Sequence, residues 1–84
     1  MSNKNTRLNI LRAIQRYRVA HDYSPSLDQI AEAVGLANRS GVHYHVRRLI
    51  DEGMLLAEPQ KPRSMRLTDQ GRQFLADLIL KRKE

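Results

Sequence analysis

The chain has no cysteine. Disulfide frameworks, zinc fingers and thiol catalysis are excluded, and a reducing compartment is permitted. Long apolar runs are missing too. The longest, residues 54–57, has four residues, far short of the ~20 that a spanning helix needs. The opening Met1-Ser2-Asn3-Lys4-Asn5-Thr6 lacks the apolar stretch of a secretory leader. No membrane role and a cytoplasmic location are expected. Acid is scarce relative to base, with 9 Asp+Glu against 15 Lys+Arg and a net charge of +6. That excess points toward a polyanionic partner. No Ser/His/Asp arrangement, Gly-rich phosphate loop or paired carboxylates stand out. Asp51 and Glu52 are adjacent and point apart. His43 and His45 lie two apart, about 200° around a helix, which is the wrong spacing for a shared metal. No catalytic residue, metal site or cofactor is expected. A chain of 84 residues is one domain burying about 60–65% of its extended surface. Such a core is too small for a deep, dry active site, so an enzyme is not expected.

What is present is a succession of short amphipathic helices. Residues 1–6 are polar and read as a flexible N-terminus. Asn5 or Thr6 can cap a first helix over 7–20, with Ile10, Leu11, Ile14 and Tyr17 on one face and Arg12 and Arg16 on the other. Pro25 biases Ser24 out of helix, so 21–25 is a loop. Ser26-Leu27-Asp28-Gln29 reads as a capping box opening a second helix over 27–34. Gly35 suits the left-handed residue that closes it, with Leu36 as the apolar contact beyond. A third helix over 38–52 is capped by Asn38 or Ser40 and buries Val42, Val46, Leu49 and Ile50. Residues 54–58 and 65–67 read as the strands of a hairpin whose tip, 59–64, holds two prolines and basic residues. Thr68 then caps a last helix over 69–83, with Phe74, Leu75, Leu78 and Ile79 as its apolar face and Leu80 off that stripe.

Two short helices joined by a glycine-containing turn describe a helix-turn-helix. A basic hairpin directly after makes it a winged helix. The expected fold is mainly α with a small β-hairpin: a three-helix core, a two-stranded wing and an extra C-terminal helix. The major groove admits one helix and shows a distinct donor and acceptor pattern for each base pair. The third helix is the candidate reader. Winding it at about 100° per residue puts Ser40, Tyr44, Arg47 and Arg48 opposite the core face, with His43 on a flank. Asn38 can pair with adenine, and Ser40 and His43 with several base edges. Tyr44 suits a phosphate or a thymine methyl, and small Ser40 and Gly41 allow close approach. Arg47 suits phosphate. Amides at the starts of the second and third helices, with Ser26 and Arg39, can hold phosphate oxygens. In the wing, Lys61 and Arg63, with Arg66 beside them, face the backbone or minor groove.

The segments 23–35 and 46–55, Tyr-Ser-Pro-Ser-Leu-Asp-Gln-Ile-Ala-Glu-Ala-Val-Gly and Val-Arg-Arg-Leu-Ile-Asp-Glu-Gly-Met-Leu, resemble the DNA-binding domain of the LexA repressor family. The likeness covers about residues 7–67, through Arg63, Met65, Arg66 and Leu67 of the wing. It implies a winged helix on operator DNA, with base-contacting positions at Asn38, Ser40, Gly41, His43 and Tyr44. The family favours Ser, Asn, Ala, Glu and Glu there, so the positions carry over and the operator sequence does not. The family's second domain, with a Ser–Lys protease dyad and a self-cleavage site, has no counterpart in these residues, and self-cleavage is not expected. The stretch Leu67-Thr68-Asp69-Gln70-Gly71-Arg72 is similar instead to the strand-to-helix junction of MarR-type winged helices, where a further helix often builds a dimer.

The expected organisation is therefore a winged helix over 7–67 and a C-terminal dimerisation helix over 68–84. Phe74, Leu75, Leu78, Ile79 and Leu80 form the candidate dimer interface, with Leu8 contributing. The alternative is that these side chains pack on the monomer's own core. A dimer would set two reading helices one DNA turn apart on a palindromic site. The expected function is sequence-specific binding of double-stranded DNA by a small transcriptional regulator, a repressor, controlled by concentration, a ligand or a regulatory partner protein. The competing reading is a winged helix used as a protein-interaction or assembly module, with weak or no specific DNA binding.

Overall fold

A computed structural model describes residues 3–61 and 63–82. The order is α1 (Asn3–His21), α2 (Leu27–Val34), α3 (Arg39–Asp51), β1 (Leu55–Leu56), β2 (Arg66–Leu67) and α4 (Asp69–Arg82). This is the winged helix-turn-helix expected from the sequence, with α2 and α3 as the helix-turn-helix and β1–β2 as the wing.

The core is built where the apolar spacing put it. Ile10, Leu11 and Ile14 of α1 meet Ile30 of α2 and Val42 and Leu49 of α3, all with no exposed surface. Burying each such aliphatic side chain stabilises the fold by roughly 1.5–3 kcal/mol. Tyr17, expected on the same stripe, is half-buried at the end of α1. Leu55 and Leu67 face each other across the wing base in antiparallel register and close the core from below.

The helix ends follow from local chemistry. Ser26 Oγ accepts the Gln29 amide at 3.1 Å while the Ser26 amide donates to Gln29 Oε1 at 2.8 Å, which completes the capping box. Gly35 takes φ +79, and the Gly35 and Leu36 amides both donate to the Ala31 carbonyl. Gly53 repeats the device at the end of α3: its φ is +82, and Met54 N–H reaches back to Leu49 O at 2.9 Å. Both glycines occupy the left-handed region that a Cβ disfavours.

Three boundaries differ from the sequence reading. Helix α1 starts at Asn3, not at Arg7; residues 3–6 hold no glycine or proline to stop it, so neither Asn5 nor Thr6 begins the helix. At its other end α1 runs to His21, where Asp22 turns to φ +67 and donates its amide to Arg18 O at 2.8 Å. The wing strands shrink to two residues each. Glu58 leaves the ladder because Ser64 Oγ takes its amide at 2.8 Å and donates to its carbonyl at 3.3 Å.

Helix α4 is pinned at its start. Thr68 Oγ1 donates to Gly53 O at 2.6 Å and accepts the Gly71 amide at 2.9 Å. A Cβ on Gly71 would sit 2.1 Å from the Met54 carbonyl oxygen, so only glycine allows α4 to cross there. Leu75 is buried, with 8% of its surface exposed, and Phe74 and Leu78 pack against the same core. Leu8 is buried at 2%. Leu75 and Leu8 are thus core residues of this chain, which corrects their assignment to a dimer interface. The first turn of α4 crosses so close to Met54 that its apolar face meets α1 and the wing. Leu80 stays 63% exposed, and the Ile79 side chain lies outside the described residues.

Candidate nucleic-acid interface

Helix α3 is held from behind by Val42, Val46 and Leu49. That fixes which residues it turns outward. Ser40, His43, Tyr44, Arg47, Arg48 and Asp51 line one shallow depression on its solvent side. Tyr44 is 57% exposed, its ring meeting the edge of His45 at 5.3 Å between centroids. Arg47 is exposed and forms no ion pair among the described residues. Helical winding set Ser40, Tyr44, Arg47 and Arg48 opposite the core with His43 on a flank, and the structure gathers these five on one face together with Asp51.

The two ends of this face behave differently. At its start, Asn38 is the N-cap and its Oδ1 accepts the Gly41 amide at 3.3 Å. Reading adenine bidentately needs the oxygen and the NH2 of an amide together. With one Oδ1 lone pair engaged and the amide oriented by the cap, Asn38 offers its Nδ2 donors and the remaining Oδ1 lone pair. Arg39 is exposed and lies 4.0 Å from Asp28 of α2, an exposed pair worth at most about 1 kcal/mol and easily exchanged for a phosphate. Ser26, expected at phosphate, has its hydroxyl turned to the Gln29 amide.

Farther along, Arg48 is drawn sideways. Its guanidinium lies 3.8 Å from Glu52 and donates to Tyr44 Oη at 3.4 Å. Glu52 also holds Arg7 of α1, and Arg7 in turn sits over the Phe74 ring at 5.8 Å. This Arg7–Glu52–Phe74 tie joins α1, the end of α3 and α4. No sequence signal marked Arg7, because the partners are 45 residues apart.

The wing is less free than its composition suggested. Lys61 and Arg66 converge on the Glu58 carboxylate at 3.6 and 3.9 Å. Arg63 has φ +61, unusual for a side-chain-bearing residue, and its guanidinium lies over the Tyr23 ring at 5.3 Å. The Ser24 amide donates to Arg63 O at 3.1 Å, and Arg18 Nη1 to Met65 O at 3.2 Å. Ser24 is fully buried. The tip is thereby tied to the loop just ahead of α2. Tyr23, Ser24 and Arg18 were not singled out from the sequence. Their roles come from contacts across some 40 residues, and only the Tyr-Ser-Pro segment hinted at one.

Gly41 follows Ser40 in the first turn of α3. A Cβ there would meet only Leu36 Cδ1, at 3.9 Å. That is ordinary van der Waals contact, so packing among the described residues does not demand glycine at this position. Among the described residues no helix is long and apolar enough to cross a membrane, and no group of three His, Asp or Glu is placed to hold a metal.

Comparison with known proteins agrees with this geometry. The LexA DNA binding domain family matches residues 4–64. The LexA repressor of Limosilactobacillus reuteri (strain DSM 20016) is 39% identical over 72 residues, covering 86% of this chain and 35% of that protein. The LexA repressor of Bacillus subtilis (strain 168) is 43% identical over 63 residues, covering 75% and 31%. That of Oenococcus oeni (strain ATCC BAA-331 / PSU-1) is 42% identical over 64 residues, covering 76% and 30%. The chain thus spans about a third of the length of these relatives. The match runs through the helix-turn-helix and the wing tip, the two elements that carry the outward-facing residues, and the chain belongs to the LexA DNA-binding domain family.

Proposed function

We propose that this protein is a sequence-specific double-stranded-DNA-binding regulator of transcription, acting as a repressor by occupying its operator. The observation that carries this reading is the α3 face: Ser40, His43, Tyr44 and Arg47 are outward, and Gly41 beside them has no internal reason to be glycine. Laid in the major groove, α3 brings Ser40, His43 and Tyr44 to base edges and Arg47 to phosphate. The amides at the starts of α2 and α3 face the flanking phosphates. Arg63 reaches the backbone or minor groove from a tip already ordered by Tyr23 and Ser24, so little entropy is lost on docking. Lys61, Arg39 and Arg48 exchange weak ion pairs for phosphates on binding.

The target is DNA in the cytoplasm, and the protein is a binding module, not an enzyme. It binds as a two-fold dimer; exposed Leu80, together with Phe74 and Leu78 at the edge of the core, supports α4 as the meeting surface. The test is selection of bound duplexes from a random pool at near-physiological salt. The expected result is a two-fold symmetric motif with half-sites one turn apart. An asymmetric motif would remove the dimer. Salt-sensitive retention without enrichment would remove sequence-specific reading altogether and leave the protein-interaction reading.

A further inference from the structure

A second surface lies on α1, away from the reading face. Helices α1 and α2 enclose an open groove of about 550 Å³ that shares no lining residue with the depression on α3. Its apolar floor is Ala13 and Ala20 of α1 with Ala33 and Val34 of α2, and Arg12 and Arg16 stand on the α1 side. The core-facing side chains of α1 are Leu8, Ile10, Leu11 and Ile14, so the Arg12 and Arg16 side of α1 lies outside the core, while Val34 at the α2 edge also packs against it. No acidic residue lines the groove. Neither arginine forms an ion pair among the described residues, and α1 contains no Asp or Glu to neutralise them. One end is closed by Tyr17 and His21, stacked at 4.0 Å.

The geometry points to this groove as the docking site for an acidic, amphipathic helical segment of a partner protein. Small residues on the floor let another backbone come close, as in helix-in-groove recognition. The occupant presents an apolar stripe to Ala13, Ala20, Ala33 and Val34. Carboxylates one turn apart on its edge meet Arg12 and Arg16, themselves one turn apart on α1. DNA phosphate matches the arginines but leaves the apolar floor uncovered, and an apolar small molecule leaves the arginines unmet. The inference does not depend on what α3 reads.

The experiment is selection of binders from a displayed library of helical peptides with randomised surface positions, using the full chain as bait. Enriched peptides should carry two carboxylates beside an apolar stripe. In amide NMR spectra they should shift residues 9–21 and 33–34 and leave 40–48 unmoved. Their affinity should fall by about tenfold for Arg12→Glu/Arg16→Glu, the loss of two partly exposed charge pairs. Ala33→Tyr, at an exposed floor position, should block the same peptides without altering charge. Unchanged thermal melts of both variants show that the fold is kept. No acidic enrichment, or shifts that map to α3, would overturn the proposal. So would duplex binding weakened by Arg12→Glu/Arg16→Glu as strongly as peptide binding, since the groove would then be a phosphate-contact surface.

Discussion

Helices α3 and α4 begin in nearly the same way. Each has a polar cap residue, Asn38 or Thr68, whose side-chain oxygen accepts the amide of a glycine three residues on, Gly41 or Gly71. The two glycines do opposite work. Gly71 presses on the Met54 carbonyl, where a methyl would sit at 2.1 Å, while a methyl on Gly41 would make only ordinary contact with Leu36 Cδ1 at 3.9 Å. One glycine serves the packing of the chain on itself. The other is not required by the packing of the chain. The start of α4 is locked internally, and the start of α3 is capped but tolerant of a side chain.

The harshest way to break this comparison is at Gly71. Alanine is the better helix former by about 1 kcal/mol, yet Gly71→Ala should destabilise by roughly 3 kcal/mol, because backbone must move to admit the methyl. Urea unfolding measures it. A loss under about 1 kcal/mol would show that α4 can slide and that the two starts are alike. Next is Thr68→Val, which leaves the Gly53 carbonyl and the Gly71 amide unpaired and should cost roughly 1–2 kcal/mol.

On the open side the effects move from stability to binding. Arg47→Ala should leave the unfolding free energy within about 0.5 kcal/mol. It should lower duplex affinity across all sequences and reduce the salt slope by about 1. Asn38 separates its two roles: Asn38→Asp keeps a capping oxygen and should hold stability, whereas Asn38→Ala should cost about 1 kcal/mol. If both variants lose the same base preference at one operator position, the amide NH2 reads that base while the oxygen caps. The smallest effect is at Gly41. Gly41→Ala should stabilise by about 0.5–1 kcal/mol, and any loss of affinity it brings measures how closely DNA approaches the backbone there.

Periodicity made α1, α2 and α3 legible, since burial of Ile10, Ile14, Ile30, Val46 and Leu49 needs only helical spacing. The Ser26 box and the Gly35 and Gly53 ends were legible because capping is local chemistry. The α3 face followed from the core stripe by winding. Long-range closure was hidden. Leu75 looked like a dimer contact because a stripe on α4 cannot say which neighbour covers it. The wing cations looked free because Glu58, Tyr23 and Ser24 act through pairings that spacing does not encode. Asn38 was named both as a cap and as an adenine reader, and only the geometry showed that one oxygen is asked to serve both.

The bond from Ser24 N–H to Arg63 O gives the wing a built-in reporter. With two residues in each strand, the hairpin has little ladder of its own to exchange-protect it. The Ser24 proton, on a fully buried residue, can swap with solvent deuterium only when the tip lifts away from the loop. Its exchange rate therefore counts wing openings, one proton at a time. Comparing that rate with those of core amides such as Ile14 and Leu49 would tell whether the wing lets go alone or only when the whole domain comes apart.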